Sequence, residues 1–219
     1  YKTGSQIYSW RFFDLSGWDG KDPFNGFAIS RSPVSGGLTA AIVWCSKKVS
    51  LFFVTDEGMP HLEQDNYEEK QINTKVKDKE VKGDITCCAI SGEGNVALIC
   101  RHNIYQEALG NANVAYAVNI ETDDQVRAGK TIPLEGHSNK ITSCAISYNG
   151  KRAITCDAGG VAVVWNITFA NVRKGHLLKM PGYVLKRNNN LSIRGCAISG
   201  DGEGAMVCSY PESTIWSLA

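Results

Sequence analysis

The sequence ITSCAISYNG occupies residues 141–150, and close copies of it occur elsewhere in the chain. Residues 85–94 read ITCCAISGEG, residues 193–202 read IRGCAISGDG, and a weaker copy, FNGFAIS, covers residues 24–30. The central alanine of these copies recurs at positions 28, 89, 145 and 197, in steps of 61, 56 and 52 residues. Self-similarity at such a period is typical of stacked supersecondary units. The chain is therefore interpreted as one continuous array.

Each copy reads as two short strands joined by a turn, and a third β-rich segment follows it. The third segments cover residues 49–54, 114–120, 161–167 and 212–218. In the first two strands both alternating sets of side chains are small or apolar, which indicates burial on both faces. A charged fourth strand such as 67–72 (YEEKQI) suits an outer edge. The pattern predicts an all-β fold of four-stranded antiparallel sheets stacked as blades around an axis.

Charge and hydropathy exclude several classes of function. The chain has 23 basic and 22 acidic residues, so no overall field directs it toward nucleic acid or a membrane surface. No apolar run approaches the roughly 20 residues of a membrane span, and no signal-like segment follows Tyr1. We therefore expect no membrane insertion.

Eight cysteines and two N-glycosylation sequons, at 166–168 and 190–192, would suit a secreted protein. Six of the cysteines, however, occupy equivalent repeat positions. A tight turn near 149–150 would place Cys144 opposite Ile154 and leave Cys156 diagonal to it, about 7–8 Å away and beyond disulfide reach. We expect reduced core thiols in an intracellular protein, either cytoplasmic or nuclear, and interpret the sequons as chance matches.

Residues 134–137 read LEGH, and 27 residues separate His137 from Trp165. This spacing, together with the repeated hairpin, resembles a unit of the WD-repeat β-propeller family, here with divergent repeats. In that family a buried network of His, Ser or Thr, Asp and Trp locks each blade. The resemblance places His137, Thr155 and Trp165 on three of these positions. The Asp position falls on Gly159, and Asp157, two residues earlier, is the candidate substitute.

The resemblance also implies a ring of about seven blades, so the chain is interpreted as about four blades' worth of a larger propeller. Residues 1–219 then form one β-propeller segment. Its predicted parts are the end of one blade (1–23), three blades (24–83, 84–140 and 141–191) and a partial blade (192–219).

No constellation for catalysis or metal binding emerges. The four histidines, at 61, 102, 137 and 176, are scattered without metal-ligand spacing. The Gly-rich turns at 92–94 and 200–202 are followed by strands and not by helices, unlike phosphate-binding loops. We expect no enzyme activity, no cofactor and no metal.

In the WD-repeat arrangement, the loops that enter the first strand and those that join the second to the third lie on one rim. The segment 101–113 is an insertion of 13 residues where the next blade uses four. Aromatic and Arg side chains are enriched at binding hot spots. The candidate partner-binding rim therefore comprises Lys47, Lys48, Arg101, His102, Ile104, Tyr105, Leu109, Lys140, Arg187, Arg194 and Tyr210.

The functional prediction is a non-catalytic protein–protein interaction scaffold, a subunit of a larger complex that binds other proteins through rim loops. A rigid frame that presents loops is where binding residues collect. Two alternatives stay open. The chain could be the regulatory propeller domain of a larger enzyme, or an RNA-binding subunit of a ribonucleoprotein, although the mild basic excess supports nucleic acid only weakly.

Overall fold

The structure is a computed structural model. It describes residues 24–30, 39–45, 49–54, 67–71, 75–76, 79–80, 83–103, 113–120, 131–169, 182–186, 193–209 and 213–218. Every regular element within these ranges is a β-strand. The predicted end of a blade at 1–23 lies outside them.

Four antiparallel sheets follow one another along the chain. The first sheet contains β1 (Phe24–Ile29), β2 (Thr39–Cys45), β3 (Val49–Val54) and β4 (Tyr67–Gln71). A two-stranded ribbon of β5 (Lys75–Val76) and β6 (Lys79–Glu80) comes next. The second sheet contains β7 (Asp84–Ile90), β8 (Val96–His102), β9 (Asn113–Asn119) and β10 (Thr131–His137). The third contains β11 (Ile141–Ile146), β12 (Arg152–Asp157), β13 (Val161–Asn166) and β14 (Gly182–Lys186). The fourth contains β15 (Ile193–Ile198), β16 (Gly204–Ser209) and β17 (Ser213–Ser217).

The repeated serine explains why the hairpin sequence recurs. The hydroxyl of Ser147 accepts a hydrogen bond from the backbone N–H of Arg152 (3.0 Å) and donates one to Oδ1 of Asn149 (2.9 Å). Gly150 has a φ of 70°, a conformation that glycine adopts without strain. The same hydrogen bond closes the turn in the two other close copies of the hairpin. The backbone N–H of Val96 donates to the Ser91 hydroxyl, and that of Gly204 donates to the Ser199 hydroxyl.

The strand register of the β11–β12 hairpin differs by one residue from the register that the sequence predicted. Cys144 lies opposite Thr155 and not opposite Ile154, while Cys156 faces Ser143. The Ser147-centred turn is one residue longer than the tight turn assumed, which shifts the pairing. A β-bulge near Thr142, between Ile141 and Ser143, adds a further irregularity. The four larger sheets all carry a register shift at the equivalent place in the first strand.

The second and third sheets each bury their two faces in different apolar clusters, as expected for stacked blades. Val163 and Trp165 pack toward the second sheet, whereas Ala162 and Val164 pack toward the fourth. Complete burial of such a side chain contributes about 1.5–3 kcal/mol. The stack is therefore held mainly by contacts between sheets.

Turns of neighbouring sheets are also joined by backbone hydrogen bonds. The N–H of Glu93 donates to the carbonyl of Tyr148 (2.9 Å), and the N–H of Tyr148 donates to the carbonyl of Gly200 (2.9 Å). Gly92 permits the first contact, because a Cβ there would lie 2.1 Å from the Tyr148 ring. These bonds align the three turns along one end of the stack, opposite the loops of the predicted rim.

Candidate functional site: the buried network and the loop rim

Four of the predicted residues form one buried hydrogen-bonded network between the second and third sheets. His137 ends β10 of the second sheet, whereas Thr155 and Asp157 lie on β12 and Trp165 on β13 of the third. Nδ1 of His137 lies 2.9 Å from Oδ2 of Asp157, and its Nε2 lies 2.7 Å from Oγ1 of Thr155. Nε1 of Trp165 donates to the same hydroxyl at 2.7 Å. The network therefore ties one sheet to the next.

The donor inventory fixes the direction of two hydrogen bonds in the network and allows a consistent direction for the third. An indole N–H can only donate, so the Thr155 oxygen accepts from Trp165 and its proton is available to Nε2 of His137. An ionised Asp157 can only accept, so Nδ1 of His137 carries the proton. Each hydrogen bond in the network thus has one donor and one acceptor.

Asp157 also organises the turn that follows it. Its Oδ1 accepts hydrogen bonds from the backbone N–H of Gly159 and of Val161, both at 2.9 Å. Burial alone raises the pKa of this carboxyl, but the hydrogen bonds from His137, Val161 and Gly159 outweigh burial and lower the pKa below its usual value. The carboxylate is therefore stabilised in its charged form.

The described rim loops meet at one end of the stack. The N–H of Ala158 donates to the carbonyl of Lys140 (2.9 Å), so the β12–β13 turn lies against the entrance to β11. Thr142 Oγ1 donates to the carbonyl of Ile193 (2.9 Å), which places the entrance to β15 beside it. Lys140 and Arg194 are both exposed there.

Arg101 and His102 lie at the same end but are half-buried and engaged in structure. Arg101 donates from Nη1 to the carbonyl of Gly83 (3.0 Å), and His102 Nδ1 lies 2.8 Å from Oδ1 of Asn113. Asn113 donates in turn to the carbonyl of Ser138 (3.1 Å). Both residues lie on β8, so the loop proper within the predicted insertion is 103–112. The remaining rim candidates lie outside the described residues; they are Lys47, Lys48, Ile104, Tyr105, Leu109, Arg187 and Tyr210.

One group of residues was not anticipated from the sequence. The Sγ atoms of Cys87, Cys100 and Cys144 all lie within 4.8 Å of one another. Cys87 and Cys100 face each other across β7 and β8, while Cys144 comes from β11 of the next sheet. The vicinal pair at 87–88 was the available signal, because it puts an extra thiol on the face opposite Cys88. All eight cysteines are in the reduced thiol form in the structure.

Comparisons with known proteins agree with the geometry. The family model described as "WD domain, G-beta repeat" matches residues 129–166. The crystal structure of the Cps50 (Swd1) beta-propeller domain of Myceliophteria thermophila is similar in fold, with a TM-score of 0.58 and 14% sequence identity. The alignment covers 90% of this chain and 56% of that one, so the chain spans little more than half of that domain. No curated protein sequence matches the chain.

Residues 129–166 match the WD-repeat family model, and the fold is similar to that of a β-propeller, in agreement with the resemblance to divergent WD repeats seen in the sequence. The all-β prediction, with several four-stranded antiparallel sheets, is confirmed. Propellers of this class are in general protein-interaction scaffolds. Among the described residues, no helix is long and apolar enough to cross a membrane.

Proposed function

We propose that the chain is a non-catalytic scaffold that binds other proteins through the loop rim, as one subunit of a larger assembly. The observation that carries the proposal is the asymmetry between the two ends of the stack. At one end, serine-closed turns are hydrogen-bonded to one another from sheet to sheet. At the other end, loops of unequal length carry exposed Lys140 and Arg194. Binding residues collect on loops that a rigid frame positions.

The buried network invites comparison with a catalytic triad, since Thr155, His137 and Asp157 have the side chains and the order of contacts that such a triad uses. Its surroundings argue against catalysis. The side chains of His137 and Asp157 have no exposed surface, and Thr155 is equally buried. The Trp165 indole also occupies the Thr155 oxygen as an acceptor. A substrate would find no open nucleophile, so the network supports a structural role.

The charge of the described rim favours an acidic partner surface. Asp157, which lies close to Lys140 in the fold, is buried and committed to His137. It therefore cannot offset the exposed cations Lys140 and Arg194. Rim charges of this kind contribute mainly to association rate and to partner choice.

Reduced thiols at all eight cysteine positions fit a reducing compartment, and we propose that the assembly lies inside the cell. Four of these cysteines are buried, in agreement with their role as small apolar core residues.

Charge reversal at the rim tests the scaffold proposal. The double variant Lys140→Glu/Arg194→Glu should reduce recovery of co-purifying proteins in quantitative affinity isolation of the full chain from its native lysate. The matched control is Lys151→Glu, an exposed lysine in the serine-closed turn at the opposite end. Both variants should retain the wild-type melting temperature, because exposed charges contribute little to stability.

The pattern of losses decides the outcome. Proteins lost with the rim variant and kept with the control would support the proposal. Equal recovery with all three chains, or equal losses with both variants, would contradict it. Losses that nuclease treatment of the wild-type lysate reproduces would favour the ribonucleoprotein alternative.

A further inference from the structure

The three thiols at the contact between the second and third sheets form a compact triangle. Cys87 and Cys100 are cross-strand partners within one sheet, and Cys144 completes the group from the innermost strand of the next. Their sulfur atoms lie within 4.8 Å of one another. Cys100 is buried, whereas Cys87 and Cys144 are half-buried.

The next contact between sheets has the same layout but lacks one thiol. Ser143, Cys156 and Cys196 there occupy the positions that correspond to Cys87, Cys100 and Cys144. Ser143 and Cys156 are again cross-strand partners. Cys196 lies with its Sγ 3.4 Å from the Ser143 hydroxyl. The second contact shows that packing tolerates serine at this position, so Cys87 is not required for packing alone.

The size of the triangle fits a thiolate metal site. Metal–sulfur bonds of about 2.3 Å place neighbouring sulfurs about 3.8–4.0 Å apart in tetrahedral or trigonal coordination. The observed separations, all within 4.8 Å, are compatible with that spacing. Structural zinc sites almost always use four ligands, and thiolates are the soft donors that select Cu(I). The group holds three sulfurs and no fourth cysteine among the described residues. This favours Cu(I) over Zn²⁺.

The thiol groups of Cys87, Cys100 and Cys144 are hydrogen-bonded to one another. Hydrogen bonds from the Cys100 and Cys144 thiols hold the pKa of Cys87 well below its usual value, against the opposite effect of burial. Hydrogen bonds to Cys100 and Cys87, with burial, raise the pKa of Cys144. For Cys100, the lowering effect of the Cys144 contact is outweighed by the Cys87 contact and by burial, and its pKa is also raised.

We propose that Cys87, Cys100 and Cys144 form a binding site for a single Cu(I) ion that joins the second and third sheets. On binding, each sulfur donates a lone pair to the ion, and the protons that the thiols release pass to the solvent. The ion stays Cu(I), so neither an oxidant nor a reductant is needed. Because protons leave, the affinity rises with pH across the neutral range.

Competition with a chromophoric Cu(I) chelator under anaerobic conditions tests the site on the full chain. The wild type should take one tightly bound ion per chain. Cys87→Ser should bind at least about 100-fold more weakly, since loss of a ligand costs more than the 10–100-fold typical of an outer-shell change. The matched control is Cys208→Ser, which removes a half-buried thiol at the position in β16 that corresponds to Cys100 and should bind like the wild type.

A gain-of-site variant makes the geometry itself testable. Ser143→Cys completes the equivalent triangle with Cys156 and Cys196 and should raise the stoichiometry to two ions per chain. In denaturant, the wild type and Cys208→Ser should no longer bind Cu(I) tightly. That loss would show that the folded structure is needed to bring the three thiols together. Equal affinity of Cys87→Ser and wild type, an unchanged stoichiometry for Ser143→Cys, or tight Zn²⁺ binding in place of Cu(I) would overturn the proposal.

Discussion

The Trp165 indole donates a 2.7 Å hydrogen bond to the hydroxyl of Thr155, and that hydroxyl also lies 2.7 Å from the His137 ring. One oxygen thus connects β12 and β13 of the third sheet to the end of β10 in the second. A buried hydroxyl in two hydrogen bonds is expensive to remove, because each orphaned partner retains its desolvation cost.

Replacement of this hydroxyl should destabilise the protein strongly. Thr155→Val keeps the side-chain volume but leaves the Trp165 N–H and the His137 Nε2 unpaired in the core. We expect a loss of about 2–4 kcal/mol in the free energy of unfolding, measured by urea denaturation. Thr168→Val, at an exposed position, is the control and should stay within about 0.5 kcal/mol of the wild type. A change of that small size for Thr155→Val would show that the network is not a stabilising element.

Acid should weaken the protein through Asp157. Its pKa is lowered in the folded state, so its contribution to stability is complete above the unfolded value near 3.9 and is lost as pH falls through the lower folded value. Urea unfolding of the wild type between pH 7 and pH 2 should therefore show a decline below about pH 4. Asp157→Asn should be less stable at pH 7 and should show a shallower decline. An identical acid slope for the two proteins would contradict this assignment.

The conformation of Gly150 should make alanine costly there. Its φ of 70° is left-handed, and a Cβ would lie 2.6 Å from Cγ2 of Val96 in the preceding sheet. Gly150→Ala should lower the free energy of unfolding by at least about 1–2 kcal/mol, because an alanine is strained in the left-handed backbone conformation. Gly195→Ala is the matched control, because no atom lies within 4 Å of the Cβ position there. It should be neutral or slightly stabilising, and equal losses at both positions would refute the steric explanation.

The long β8–β9 connection offers a separate test of the rim. The segment 104–112 can be replaced by a short Gly-containing turn copied from 158–160, while β8 and β9 are retained. If the segment contacts a partner, the melting temperature should hold while partner recovery falls. A same-length segment of scrambled sequence is the control and should lose the partner as well. Lower stability with unchanged recovery would show that the segment is structural, and its residues would leave the proposed rim.

Much of the fold could be predicted because its signals are local and repeated. The alanine spacing, the serine-closed turn and the apolar third strands each depend on residues close together in the chain. Three members of the buried network, His137, Thr155 and Trp165, were likewise placed by the family resemblance. The charged fourth strand predicted at 67–72 corresponds to β4, which ends one residue earlier.

Contacts between sheets could not be read from the sequence in the same way. Local sequence defines one blade, but it does not state which side chains of the next blade will meet it. Cys144 joins Cys87 and Cys100 only because β11 packs against β7 and β8. The one-residue shift that sets Cys144 opposite Thr155 came from the length of a turn, which a pattern of apolar residues does not specify.

The sequence by itself determined the all-β class, the repeated hairpin and the residues available to the network, because these follow from short-range periodicity and composition. Only the tertiary structure decided that Asp157 serves the network. Its Oδ2 reaches His137 while its Oδ1 holds the turn at Gly159 and Val161, a geometry that no spacing rule contains. Tertiary packing likewise decided that three thiols share one site, because their proximity depends on how two separately formed sheets stack.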